Sequence, residues 1–240
     1  VNLLDWLLTG VVPIGAGAIS VREVVGNGFG LASAIGGMRR RVWAWPVGIV
    51  GNLLLLTVFL GGVFTTPQGT TLLGQAGRQV LFVAVSVYGW VRWRESRRSG
   101  GGADGAVVPR WATWRERAGL LVVAVGLTAL LTPIFEALGS WPPVWADAWT
   151  FTGSLLATYG MARGWVDFWL VWIAVDVVGV PLLLQGGFYP SAVMYGFYGV
   201  FCLVGFAVWW RTQRRLALQT SPRPTSALPA ATDPSMETLG

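Results

Sequence analysis

The chain has 240 residues, of which 54% are hydrophobic and only 12% charged, and its mean hydropathy is +0.58. That leaves too little polar surface to wrap the core of a water-soluble protein of this length, so the sequence predicts an integral membrane protein. The formal net charge of +6 comes from 17 Arg and no Lys, while one Cys and no His remove intramolecular disulfides, zinc clusters and His-based acid–base catalysis. No enzyme, catalytic residue, metal or cofactor is expected.

In chain order, residues 1–22 form an apolar N-terminal segment broken by Gly10, Pro13, Gly15 and Gly17. It lacks the basic start and small-residue cleavage pattern of a signal peptide, so an interfacial or partly inserted segment is predicted. A short, small-residue span follows at 23–38, then apolar spans at 42–64 and 72–93. Residues 94–118 read as a cytoplasmic loop, flexible over Ser96–Val108, with Trp111 and Trp114 among Arg110, Arg115 and Arg117 as an interfacial stretch. A linking transmembrane helix is predicted at 119–139, a second short span at 147–162, and long spans at 165–185 and 190–211. Roughly 20 residues are needed to cross the hydrocarbon core, which the long runs satisfy. Residues 212–240 are expected to be a disordered cytoplasmic tail, rich in Pro, Ser, Thr and Ala from Gln219.

The spans repeat. Trp45 and Asn52 recur 124 positions later as Trp169 and Asp176, and the same offset pairs Glu23 with Asp147, Gly36 with Gly160 and Arg39 with Arg163. After a shift, Gln79, Gly89 and Trp93 keep the spacing of Tyr195, Gly205 and Trp209. One three-helix unit (23–93) is thus written twice (147–211). Three spans per unit would leave the copies antiparallel, and one inserted helix restores a parallel pair. The predicted fold class is all-α integral membrane: seven transmembrane helices, two parallel three-helix units joined by a linking helix (3+1+3). With seven spans, fifteen of the 17 Arg fall on one side and only Arg22 and Arg78 on the other. The positive-inside rule then puts the N-terminus out and the C-terminus in. Cytoplasmic loops near anionic lipid account for the charge, and no nucleic-acid partner is needed.

Polar residues within spans are costly, so each needs a reason. Asp176 lies mid-segment in WLVWIAVDVVGVPLLL, on a helical face with Trp169 and Trp172. A carboxylate beside indole faces suits a flat, cationic aromatic ligand; the alternative is a helix-packing Asp bonded to a hydroxyl or Arg. Asn52 holds the equivalent place in the first unit and shares a face with Trp45; an amide there serves ligand hydroxyls or an interhelical bond. Gln79 carries the same two readings. Tyr88, Tyr195 and Tyr198 serve either a substrate or a helix contact. Trp93, Trp209 and Trp210, beside Arg at helix ends, read as an aromatic belt. Cys202 reads as a small buried hydrophobe.

REVVGNGFGLAS (22–33), WPVGIVGN (45–52), QVLFVAVSVYGWVRW (79–93), WLVWIAVD (169–176) and QGGFYPSAVMY (185–195) resemble the PnuC family of vitamin transporters, in order and with matching spacing across about residues 11–211. That family is similar in design to the SWEET sugar transporters. Its best-known members carry nicotinamide riboside across bacterial cytoplasmic membranes, and relatives carry thiamine or riboflavin. The resemblance implies import of nicotinamide riboside by facilitated diffusion, with trapping by cytoplasmic phosphorylation. It implies substrate-site roles for Trp172, Asp176, Asn52, Gln79 and Tyr88, alongside the face-sharing Trp169 and Trp45 and the hydroxyl of Tyr198. Family members that carry nicotinamide riboside commonly have Asn where this chain has Asp176, which leaves thiamine or riboflavin as alternatives. The expected partners are therefore a small-molecule vitamin and the lipid bilayer, with self-association left open. A reading of another class, a membrane receptor or adaptor without transport, would call for a soluble module or large cytoplasmic interface.

Overall fold

The computed structural model describes residues 3–14, 17–38, 41–98 and 110–220 and is predominantly helical. A short helix α1 (Leu3–Thr9) leads into an antiparallel pair, β1 (Val11–Ile14) with β2 (Gly17–Ser20), in register Val11 to Ser20. The apolar N-terminal segment is thus part helix and part hairpin, the latter ending where Val21 donates to the Gly10 carbonyl. Helices α2 (Val21–Met38), α3 (Ala44–Phe59), the single turn α4 (Gly61–Phe64) and α5 (Leu73–Arg98) follow, then α6 (Trp114–Ala137), α7 (Val144–Ala162), α8 (Phe168–Gln185) and α9 (Tyr189–Thr220).

Among the described residues, three helices are long and apolar enough to cross a membrane: Trp114–Ala137, Phe168–Gln185 and Tyr189–Arg215. The apolar stretch 42–64 divides at Leu60, leaving α3 with 16 residues, or about 24 Å of helix. Helix α5 is long, but Gln75, Arg78 and Gln79 lower its hydropathy, and all three are buried. Helix α9 runs to Thr220, nine residues beyond the boundary set by hydropathy, because a helix need not stop where its apolar run does. Arg39, Arg40, the centre of the 94–118 loop and the tail beyond 220 lie outside the described residues.

Helix α3 packs between α2 and α5, and α8 between α7 and α9; α5 also meets α7, and α2 meets α9. The sequence repeat recurs as repeated contacts. Gly89 sits against the Trp45 ring, and Gly205 against the Trp169 ring, so closely that a Cβ at either position would collide with the indole. Gly36 abuts Ala44, and Gly160 abuts Phe168, at the same offset of 124. Another pair exchanges its sizes. Gly51 on α3 receives Phe29 from α2, whereas in the second set Gly153 on α7 receives Val175 from α8. A glycine still meets a larger side chain at that crossing, but the bulk changes helix, as close packing permits.

Two carboxylates tie the sets together crosswise. Asp147 on α7 accepts from the backbone N–H groups of Gly74 (2.6 Å) and Gln75 (3.0 Å) at the start of α5, and from the Ser140 hydroxyl (2.8 Å). Its repeat partner Glu23 on α2 accepts from the backbone N–H of Ser191 (3.1 Å) at the start of α9. In both cases a negative side chain from one set satisfies the orphan donors and positive dipole end of a helix in the other. Beside them lies the packed apolar core: Val58 and Phe59 of α3, Ala76 of α5, Leu182 of α8, Phe188 just before α9 and Tyr195 within it, with the Phe59 and Phe188 rings edge to face at 5.4 Å. This cluster closes the bundle at the end where α5 and α9 begin.

The stretch before α6 is a cap rather than a free interfacial segment. Thr113 and Glu116 form a reciprocal capping box, so the helix starts at Trp114, five residues ahead of the hydropathy boundary. Arg110 pairs with Glu116 (2.7 Å), and Arg117 with Asp167 (2.7 Å) in the turn before α8. None of the residues of α6 is buried, as suits a helix surrounded mainly by lipid.

Candidate functional site

A cavity of about 300 Å³ lies between the two helix sets, lined from α2, α3, α5, α7, α8 and α9. Six of the eight residues singled out from the sequence line it: Asn52 of α3, Gln79 of α5, Trp169, Trp172 and Asp176 of α8, and Tyr198 of α9. Asp176 is 7% exposed, and its Oδ2 has no hydrogen-bond partner, so the carboxylate is not spent on helix packing. Gly199 of α9 lies beside it: a Cβ there would stand 3.5 Å from Oδ2.

Tyr88 and Trp45 are not part of the lining. Nine residues at about 100° each carry Tyr88 half a turn round α5 from Gln79, and it is 68% exposed on the outer face of the bundle. Trp45 does share the face of Asn52, but it lies two turns along the axis, where Gly89 takes its ring. Its repeat partner Trp169 also packs on a glycine, yet reaches the cavity edge beside Phe168 and Phe201. Tyr88→Phe is accordingly expected to leave solute uptake within about twofold of wild type, measured in proteoliposomes; exposed positions away from a site change little. Trp209 departs from the expected aromatic belt. Its ring packs on Phe168 (5.2 Å) and Trp169 (6.1 Å), buttressing one wall of the site.

Arg78 changes the character of this site. Counting charges along the chain sets it, with Arg22, apart from the other arginines, and both are buried, at 7% and 3% exposure. Arg22 donates to the Phe64 and Thr65 carbonyls (both 3.0 Å), fastening α2 to the end of α4. Arg78 lines the cavity, its guanidinium carbon 4.4 Å from the Tyr195 ring centre, 5.0 Å from Phe82 and 5.7 Å from Trp172. These three aromatic faces supply the negative potential that offsets its burial. Gln75 completes the support: its Oε1 accepts from the Tyr195 hydroxyl (2.7 Å) and, at 3.5 Å, from Arg78.

Asn27 and Ser191 also line the cavity and were not singled out in the sequence. Asn27 donates to the Glu23 carbonyl (2.9 Å) and the Ser191 hydroxyl (3.1 Å), joining the site to the Glu23 contact between the sets. The signal was present: Glu23, Asn27 and Gly30 fall at i, i+4 and i+7 on one face, as do Gln75, Arg78, Gln79 and Phe82 on α5. Glu136 and Gln185 lie away from the cavity and are exposed. Cys202 is buried and contributes to the lining.

Such a cavity, walled by aromatic rings and holding a few convergent polar groups between two helix sets, has the form of a small-molecule site. The family model described as nicotinamide mononucleotide transporter matches residues 20–211. The chain belongs to this family, the PnuC family of vitamin transporters. The riboflavin/roseoflavin transporter RibM of Streptomyces davaonensis is 37% identical over 88% of the chain and 95% of its own length. The nicotinamide riboside transporter PnuC of Escherichia coli K12 is 26% identical, covering 85% and 91%. The crystal structure of the vitamin B3 transporter PnuC superposes with a TM-score of 0.58 at 20% identity, covering 81% of this chain and 82% of that one, so the helical fold is shared.

Proposed function

We propose that this chain imports a neutral, flat vitamin with a hydroxylated side chain, of which riboflavin is the best match, across the bacterial cytoplasmic membrane. The observation that carries this reading is the cavity itself. Aromatic faces from α5, α8 and α9 line a slot for a planar ring, and Asn52, Gln79 and Asn27 offer amides to hydroxyls. The relative at 37% identity is named for riboflavin, and the relative at 26% for nicotinamide riboside. The expectation of nicotinamide riboside rests on the family resemblance; Arg78 in the same cavity weighs against the flat cation that a lone carboxylate beside indole faces would suit.

Mechanistically, α2–α3–α5 and α7–α8–α9 are the two parallel units of a 3+1+3 plan of seven spans, with α6 linking them. The recurring Gly–Trp and carboxylate–helix contacts support this plan, and the Arg distribution supports an N-terminus outside and a C-terminus inside. The units rock about the cavity, exposing it to each side in turn. Trp172 and Tyr195 stack on the ring, and Asp176, Asn52, Gln79 and Tyr198 bind its polar edge and hydroxyls. Transport is downhill, and phosphorylation inside the cell retains the product. Uptake of labelled riboflavin, nicotinamide riboside and thiamine into proteoliposomes tests this. Saturable riboflavin uptake exceeding both others is expected; absence of riboflavin uptake overturns the reading.

A further inference from the structure

We propose that Arg78 is the residue that sets substrate charge: opposed by Asp176 from the other helix set, it admits neutral heteroaromatic rings and rejects rings with a fixed positive charge. The proposal rests on the transport reading above and deepens it.

Arg78 and Asp176 are the only formally charged side chains among the residues lining the cavity, so the described lining is balanced before any ligand enters. They do not neutralise one another by direct contact, since no ion pair joins them. Each keeps hydrogen-bonding capacity in reserve. Arg78 Nε and Asp176 Oδ2 are both buried without a partner, and the bond from Arg78 Nη1 to Gln75 stands at the 3.5 Å limit. Buried polar atoms are rarely left so, and a guanidinium fork and a carboxylate in one cavity await a ligand edge with complementary groups.

The chemistry of that edge follows from the donors and acceptors. Arg78 has only protons to give, and Asp176 Oδ2 only a lone pair. Together they fit a carbonyl next to a ring N–H, the imide edge of a flavin or pyrimidinedione. Such an edge is uncharged and satisfies both groups at once. A pyridinium or thiazolium gains from Asp176 but places its charge near a guanidinium in a low-dielectric slot. At an effective dielectric of about 20, that repulsion supports discrimination of roughly tenfold or more. The three aromatic faces around Arg78 act in the same sense, because their negative potential is already engaged by its guanidinium and is less available to a second cation.

A purely structural role for Arg78, holding Tyr195 and Gln75 in place, would alter stability and leave charge preference unmoved. The test therefore reads preference. In wild-type proteoliposomes, competition against labelled riboflavin is measured with nicotinamide riboside and with its dihydro form, which has nearly the same shape and an uncharged ring. The dihydro compound is expected to compete at least about tenfold better. In Arg78→Gln that ratio should collapse towards one, while Arg78→Lys, which keeps the charge but loses the fork, should keep the preference and weaken riboflavin binding. Equal competition by the two forms in wild type overturns the proposal without needing any variant to fold, as does an unchanged ratio in a folded Arg78→Gln protein. Wild-type protein that takes up no riboflavin overturns the transport reading and this proposal together; riboflavin uptake without charge preference overturns this proposal alone.

Discussion

Asp147→Ala is expected to be the most destabilising single change in the chain, costing roughly 3 kcal/mol or more. The side chain is completely buried and receives three hydrogen bonds, two of them from the first turn of α5 and one from Ser140. Truncation leaves those donors unsatisfied where neither water nor lipid can replace the acceptor. It also removes a negative charge from the positive end of a helix. Thermal unfolding in detergent would read the loss as a lower midpoint and as aggregation at temperatures the wild type tolerates. Glu23→Ala supplies the comparison. Glu23 is equally buried, but only one of its oxygens is bonded to Ser191 and the other has no partner. About half the penalty is expected there. Equal midpoints for Asp147→Ala and wild type would show that the carboxylate does not hold the two helix sets together.

The second large effect is on transport. Trp172→Ala should lower riboflavin uptake by roughly tenfold to a hundredfold, because an indole face stacked on a planar ring contributes about 1.5–3 kcal/mol by burial alone. Trp172 lies on the cavity wall with its ring 6.0 Å from that of Phe82 and 5.7 Å from the Arg78 guanidinium. The loss should fall mainly on the apparent affinity, with the unfolding midpoint shifted much less than in Asp147→Ala. Uptake at the wild-type level in a folded Trp172→Ala protein would remove this residue from the site. The contrast between the two variants separates the joint between the helix sets from the pocket it supports.

Much of this protein is written in its sequence, for reasons that can be traced residue by residue. Hydropathy marks the helices because lipid tolerates no unpaired backbone, so an apolar run has few conformations open to it. The repeat is legible because Trp45 and Trp169 each need a glycine facing them, and Gly89 and Gly205 hold matching places in their own helices, each 10 residues after Gln79 or Tyr195. The grouping of Trp169, Trp172 and Asp176 follows from helical geometry along one short stretch.

At two positions the folded site differs from the linear reading. The family resemblance implies a site role for Tyr88, although its spacing from Gln79 already points it the other way. Counting arginines across seven spans assigns Arg78 only to a side, and such a count carries no sign that the residue is buried or of what offsets the cost of burying it. The groups that do so, Tyr195 and Trp172, lie roughly a hundred residues away in the chain and meet it only when α8 and α9 pack beside α5. By itself, then, the sequence determined the helices, their duplication and most of the polar residues between them, since each depends on local period or fixed offset. The tertiary structure alone decided which faces turn inward and that a buried arginine shares the cavity with Asp176. Those depend on the rotation of each helix against its neighbours, and the charge balance of the site follows from them.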